Sequence, residues 1–192
     1  MRGMPRYLRP GLAAVISAAG LWLVGQGVWI HAKAGLAQVL LDRAFEQTVA
    51  TGRPHKPWSW ADTWPVARVE VPRLRRRAIV LSGASGQALA FGPAQLNGTP
   101  RAGAQGVTVI AGHRDTHLAF LKDVREGDEI DVVRDDGRRV KFRVSHMTIA
   151  RWDRSRIDPH ASGSQLVLAT CWPLDGHFRG PMRYLVWADK VT

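Results

Sequence analysis

Cys171 is the only thiol in a chain of 192 residues, and it stands where the apolar run Leu166-Val-Leu-Ala169 gives way to Trp172-Pro173. Proline cannot continue a hydrogen-bonded ladder, so the thiol is expected at the rim of a strand rather than inside a core. A lone cysteine can be a buried spectator, but as a thiolate it is a nucleophile that needs a proton donor and a cation beside it. His113 is the first candidate partner. It ends Val107-Thr-Val-Ile-Ala-Gly-His113, with Gly112 allowing a close turn at the end of a buried run. Arg183 opens the last apolar run, Tyr184-Leu-Val-Trp187, where its fork of donors suits an oxyanion. Arg179 competes for that role. A Cys, a His and an Arg, each at the end of a β-rich run and far apart in sequence, are what thiol-dependent acyl transfer requires.

His117 follows His113 by four residues and raises a zinc alternative. That pairing needs a helix to align the rings and a Glu as base, whereas here it opens a loop and the residue after His113 is Arg114. Metal is the weaker reading, although His146, His160 or His177 could supply a third ligand. One Cys also excludes a disulfide framework and a Cys-rich zinc finger. No metal and no cofactor are expected.

The elements that must position these residues read as mostly β. Val66-Ala-Arg-Val-Glu-Val71, Ala78-Ile-Val-Leu81, Val107-Thr-Val-Ile110, Glu129-Ile-Asp-Val-Val133 and Val140-Lys-Phe-Arg-Val144 are short β-rich runs, with Asp136-Gly137 as a hairpin turn before the last of them. Met147 to Ala150, Gln165 to Thr170 and Tyr184 to Trp187 bring the expectation to eight strands, which favours a closed barrel or a sandwich over a parallel sheet. Short helices are predicted near 87–91 and 118–124.

Residues 11–30 contain no charge, and at about 1.5 Å rise per residue they match a bilayer core. Arg2, Arg6 and Arg9 precede them without an acid, which puts residues 1–10 in the cytoplasm and the rest outside. A cleaved signal peptide is the competing reading, against which stand the length of the run and a weak cleavage context. Residues 31–56 read as a helical stalk and linker, with Leu36, Val39, Leu40 and Phe45 at helical spacing and Gly52, Pro54 and Pro57 as breakers. The folded domain is predicted over 57–192. The net charge is 27 minus 16, or +11, a balance that suits anionic partners. Arg73, Arg75, Arg76 and Arg77 are its densest cluster, read as a solvated face that also attracts anionic headgroups. Trp58, Trp60 and Trp64 are read as aromatic packing over the barrel. Nucleic acid is not expected as a partner of an extracytoplasmic domain.

Ala111-Gly-His-Arg114, Leu168-Ala-Thr-Cys171 and Arg183 together resemble the sortases, membrane-anchored cysteine transpeptidases. Pro57-Trp-Ser-Trp-Ala-Asp-Thr-Trp-Pro65, Gly83-Ala-Ser-Gly86, Leu89-Ala-Phe-Gly92 and Gly112-His-Arg-Asp-Thr-His117 are further similar to sortases of marine and other Gram-negative proteobacteria, the class GN type. One departure is Val167, which stands where the commoner T-L-x-T-C motif has Thr. The resemblance implies an eight-stranded sortase barrel and cleavage of an LPxTG-like sorting signal between Thr and Gly. Cys171 would attack, His113 would move the proton, and Arg183 would hold the oxyanion, with transfer to an amine acceptor. Thr170, Arg114 and Trp172 are expected to line the substrate. It also implies a single-pass inner-membrane protein with a periplasmic catalytic domain. The alternatives are a membrane-tethered basic module that binds an anionic envelope polymer, and an L,D-transpeptidase-like enzyme, whose S-x-G-C context is absent around Cys171.

Overall fold

The computed structural model describes residues 8–176 and 180–191, with side chains from Val15, so His177 and Arg179 lie outside the described residues. The chain divides into two compact units, one ending at Val39 and one running from Leu40. Helix α1 (Leu8–Thr51) is continuous, so the predicted span and stalk form one element. Its N-terminal part is long and apolar enough to cross a membrane. The side chains of Leu21, Trp22, Leu23, Val28 and Trp29 are all exposed, the state in which lipid is their natural solvent.

In the second unit a closed barrel follows the order β1-β2-β3-β4-β7-β8-β6-β5. Its strands are β1 (Pro65–Val71), β2 (Arg76–Ser82), β3 (Ala94–Gln95), β4 (Gly106–Ala111), β5 (Glu129–Arg134), β6 (Arg139–Arg151), β7 (Ser164–Cys171) and β8 (Met182–Lys190). A short helix, α2 (Gly86–Phe91), and three 3-10 turns complete it. Eight strands were expected and eight are present among the described residues, but not the same eight. The runs around 140–144 and 147–150 form the single strand β6, whose register slips between Val144 and His146. Such a bulge leaves a residue unpaired, and the polar pair Ser145-His146 there interrupts the alternation. The added strand is β3, two residues without a readable period. The segment expected to be helical around 118–124 is a 3-10 turn over Ala119–Asp123.

Three apolar layers hold this unit together. Val69, Val80, Ile110, Ile130, Phe142, Leu166, Leu168 and Val186 fill the barrel. Outside it, Leu41 and Phe45 of α1 pack on Ile79, Leu81 and Ala88. A third cluster, Val107, Val109, Val167, Ala169 and Leu185, lies beneath Ile157 and Ala161. Strand β7 therefore buries both faces, which is why its sequence is a continuous apolar run rather than an alternation. The linker signals put the start of the domain at Pro57, whereas the compact unit begins at Leu40, because the end of α1 contributes core residues. The buried stripe on that helix is Leu41, Ala44, Phe45 and Thr48, while Leu36 and Val39 are exposed.

Candidate active site

The two-residue period of a strand decides where the chemistry sits. On β7, Leu166 and Leu168 face the barrel interior, so Val167, Ala169 and Cys171 face outward. On β8, Val186 and Ala188 face inward, so Leu185 and Arg183 share the outward face. Antiparallel pairing of β7 with β8 sets Cys171 directly opposite Arg183. On the other side, parallel pairing aligns Ala111 with Ala169, and His113 follows two residues later. The three candidates surround one cavity of about 350 Å³ whose walls include Leu96, Val109, Ala169 and Leu185. Trp152, Ser155 and Ile157, from the segment after β6, close its outer side. The site is therefore on the outer surface of the barrel wall, under a roof, and not inside the barrel.

Arg183 and Trp172 are held beside the thiol. Cys171 is half-buried as a free thiol. The Nη1 of Arg183 donates to the carbonyls of Gly180 at 2.8 Å and Met182 at 2.9 Å, which fixes the guanidinium beside the thiol's strand. Trp172 stacks on Tyr184 with centroids 5.9 Å apart, and its amide donates to Met182 O at 3.1 Å. The Trp172–Pro173 peptide is cis. Gly112 is required by space: a Cβ there would lie 2.9 Å from Leu118 Cγ and 3.1 Å from Pro93 Cβ.

A family model described as a sortase domain matches residues 69–191, more than half of the chain. The chain belongs to the sortase family. Sortase D of Bacillus subtilis is 23% identical over 124 residues, covering 65% of this chain and 63% of that protein. Among solved structures, sortase A from Corynebacterium diphtheriae matches with TM-score 0.60 and 25% identity, over 69% of this chain and 63% of that one. A Clostridium perfringens sortase D5 transpeptidase matches with TM-score 0.64 at 15% identity, over 82% of this chain and 99% of that one, a likeness of fold. The chain thus spans 63% of the length of the curated sortase and of the first of these structures.

Against that sortase frame, Cys171, His113, Arg183 and Thr170 all border the one cavity. Thr170 is only 2% exposed, and its hydroxyl donates to Gly112 O at 2.7 Å. The Nη1 of Arg114 donates to Pro173 O at 2.9 Å. His117 is half-buried, and burial holds it below the usual imidazole range; neighbouring His113 adds to this, and a hydrogen bond to the Ala90 backbone opposes it. No third metal-ligating side chain joins this His pair among the described residues. His146 is on β6, stacked on Trp187. Trp152 was missed by the sequence reading although it is 63% exposed at the cavity mouth. Its signal was available: a large aromatic set between Arg151 and Asp153, whose charges pair with each other at 2.8 Å, is not core.

Proposed function

We propose that the protein is a membrane-anchored cysteine transpeptidase, and that its substrate is a protein carrying an LPxTG-like sorting signal. The observation that carries this reading is the register pairing of Cys171 with Arg183 on a shared outward face, with His113 on the same cavity. In the first half-reaction the Cys171 thiolate attacks the Thr carbonyl carbon and a C–S bond forms. The negative charge on the carbonyl oxygen is met by Arg183, an arrangement that strengthens as charge develops. The C–N bond then breaks, and the His113 imidazolium gives its proton to the departing Gly amine. A thioacyl enzyme remains. In the second half-reaction an acceptor amine attacks the thioester carbon, His113 takes its proton, the new C–N bond forms, and the thiolate leaves. Because thiolate and imidazolium must coexist, the rate should follow a bell-shaped pH dependence.

The apolar walls of the cavity, with Trp152 among them, support an extended peptide with apolar side chains as the occupant, whereas Trp172, expected to line the substrate, is stacked on Tyr184 and is not one of the cavity's walls. The Gly112-His-Arg-Asp-Thr-His117 run supports placement with the Gram-negative class GN type. For such a protein, α1 would anchor in the inner membrane with the barrel in the periplasm. The test is mass spectrometry of the detergent-solubilised full chain with LPxTG-like peptides and hydroxylamine, beside Cys171→Ala. A Thr hydroxamate product that disappears in the variant is the expected result. No cleavage of any peptide together with an inert native thiol would return the protein to the basic binding-module reading.

A further inference from the structure

The backbone ladder between β4 and β7 ends at the pair Ala111 and Ala169, before either reacting residue is reached. His113 and Cys171 thus lie beyond the pairing that would align them. What continues the connection is a short series of other hydrogen bonds. Immediately before the two residues, Gly112 N donates to Ala169 O at 3.0 Å, and the Thr170 hydroxyl donates to Gly112 O at 2.7 Å. Immediately after His113, Arg114 reaches across to Pro173 O at 2.9 Å, two residues past Cys171. The links bracket the reacting pair on both chain sides.

We propose that Arg114 is a positioning residue. With the Thr170 hydroxyl it clasps the turn that carries His113 to the turn that follows Cys171, and so sets the approach of the imidazole to the thiol. The inference rests on the proposed reaction of Cys171 with His113. Three features carry it. First, Leu118 and Pro93 crowd the turn so closely that a Cβ on Gly112 would lie 2.9 and 3.1 Å from them, and the direction left for movement is away from β7. The clasp closes that direction. Second, the Thr170 bond is shielded, with the residue 2% exposed, and a hydrogen bond away from water holds its geometry more firmly. Third, the guanidinium donates to a main-chain carbonyl and Arg114 is not among the cavity's walls, whereas a residue that binds substrate would present its fork to the cavity. The effect at stake is large, because a misplacement of about 1 Å between reacting groups costs on the order of a hundredfold in rate.

The same rim carries other charged and titratable groups. His117 lies on the same turn, Arg183 is on β8, and Arg154 and Arg156 lie in the segment that roofs the cavity. A pH profile is therefore compared between variants rather than assigned to His113 alone.

The test uses the full chain in detergent micelles with Arg114→Ala, Arg114→Lys, Thr170→Val and Thr170→Ser. Three quantities are measured: kcat and KM on a cleaved peptide, the pH profile of Cys171 alkylation by iodoacetamide, which needs no peptide, and Tm. For Arg114→Ala the expected result is a fall in kcat of about a hundredfold with KM within about threefold of wild type. The alkylation profile should change shape, and Lys should recover part of the loss. Ser should keep the hydroxyl link, whereas Val should behave like the Arg114→Ala protein. A raised KM at unchanged kcat would make Arg114 a substrate contact and overturn the proposal. So would a loss of rate that follows Tm while the alkylation profile stays that of wild type. If wild-type Cys171 neither alkylates nor cuts, the reading of the site falls and the clasp falls with it. If wild type does both and Arg114→Ala matches it, the clasp alone falls.

Discussion

Arg183 spends one arm of its guanidinium on the Gly180 and Met182 carbonyls, which leaves the rest of the fork for the oxyanion of the proposed reaction. A lysine cannot do both, since its single ammonium would have to leave one partner to reach the other. Arg183→Ala should therefore lower kcat by about a hundredfold or more, and Arg183→Lys should fall well short of wild type, with Tm little changed in both. Rate measurements on a cleaved peptide beside thermal melts check this. A second residue-scale prediction concerns Asp128, which Arg73 meets through two hydrogen bonds of 2.5 and 2.7 Å. The bonds to Arg73 are the main reason its carboxyl lies below the usual carboxylate range. A folded value below the unfolded one means that the stabilisation is present above roughly pH 4 and is lost as pH falls through the folded value. Asp128→Asn should lower Tm at pH 7 and narrow the difference between the two proteins as the solution is acidified, read from melts across pH. At this scale the positions of Cys171 and His113 at strand ends on one cavity were legible because Pro173 and Gly112 mark where strands stop. Arg114 was expected to line the substrate on the family resemblance, and its bond to Pro173 O could not be read from the sequence because that partner is 59 residues away and no local pattern announces it.

Elements repeat the lesson in another form. β7 could be read at sight because both of its faces are covered, so nothing polar interrupts it. β3 could not, since two residues hold no period, and β6 was split because its bulge falls at a polar pair. The end of α1 was read as stalk, yet Phe45 is 2% exposed and belongs to the layer on β2. Phe45→Ala should therefore destabilise the second unit by about 3–5 kcal/mol, measured as a shift in the urea midpoint. An exposed stalk residue would cost far less, and a negligible shift would remove α1 from the core. Gly112→Ala must displace Leu118 or Pro93, an overpacking worth about 1–3 kcal/mol. It should lower Tm and, by moving the His113 turn, slow cleavage more than the stability loss alone explains.

Across the whole molecule the +11 charge is far from evenly used. Arg73, Arg101, Arg134, Arg139 and Arg151 each have a carboxylate partner, so much of the basic surface is spent on tying loops and strands. Arg75, in the turn between β1 and β2, and Arg76, the first residue of β2, remain exposed. Composition reported the sum but not this division, which depends on contacts distant in sequence. The apolar part of α1 makes a separate prediction. Expressed full-length protein should sediment with membranes, stay there through high salt, and leave only with detergent, because salt screens charge but not apolar burial. Release by salt alone would reduce α1 to a surface-bound helix.

The roof over the thiol is pinned at its two ends, by the Trp152 amide on Pro181 O at 2.9 Å and by the Val107 amide on Pro159 O at 3.3 Å. β7 beneath it lies between β4 and β8 with apolar layers on both sides. Amide hydrogens on β7 should consequently exchange with deuterium only when the entire barrel opens, whereas those between the two pins exchange through a local opening of much lower free energy. Two stabilities then coexist within one wall of the molecule. Urea well below the unfolding midpoint should quicken iodoacetamide attack on Cys171 while the β7 amides stay protected, so the thiol can be unveiled without loosening the strand that carries it.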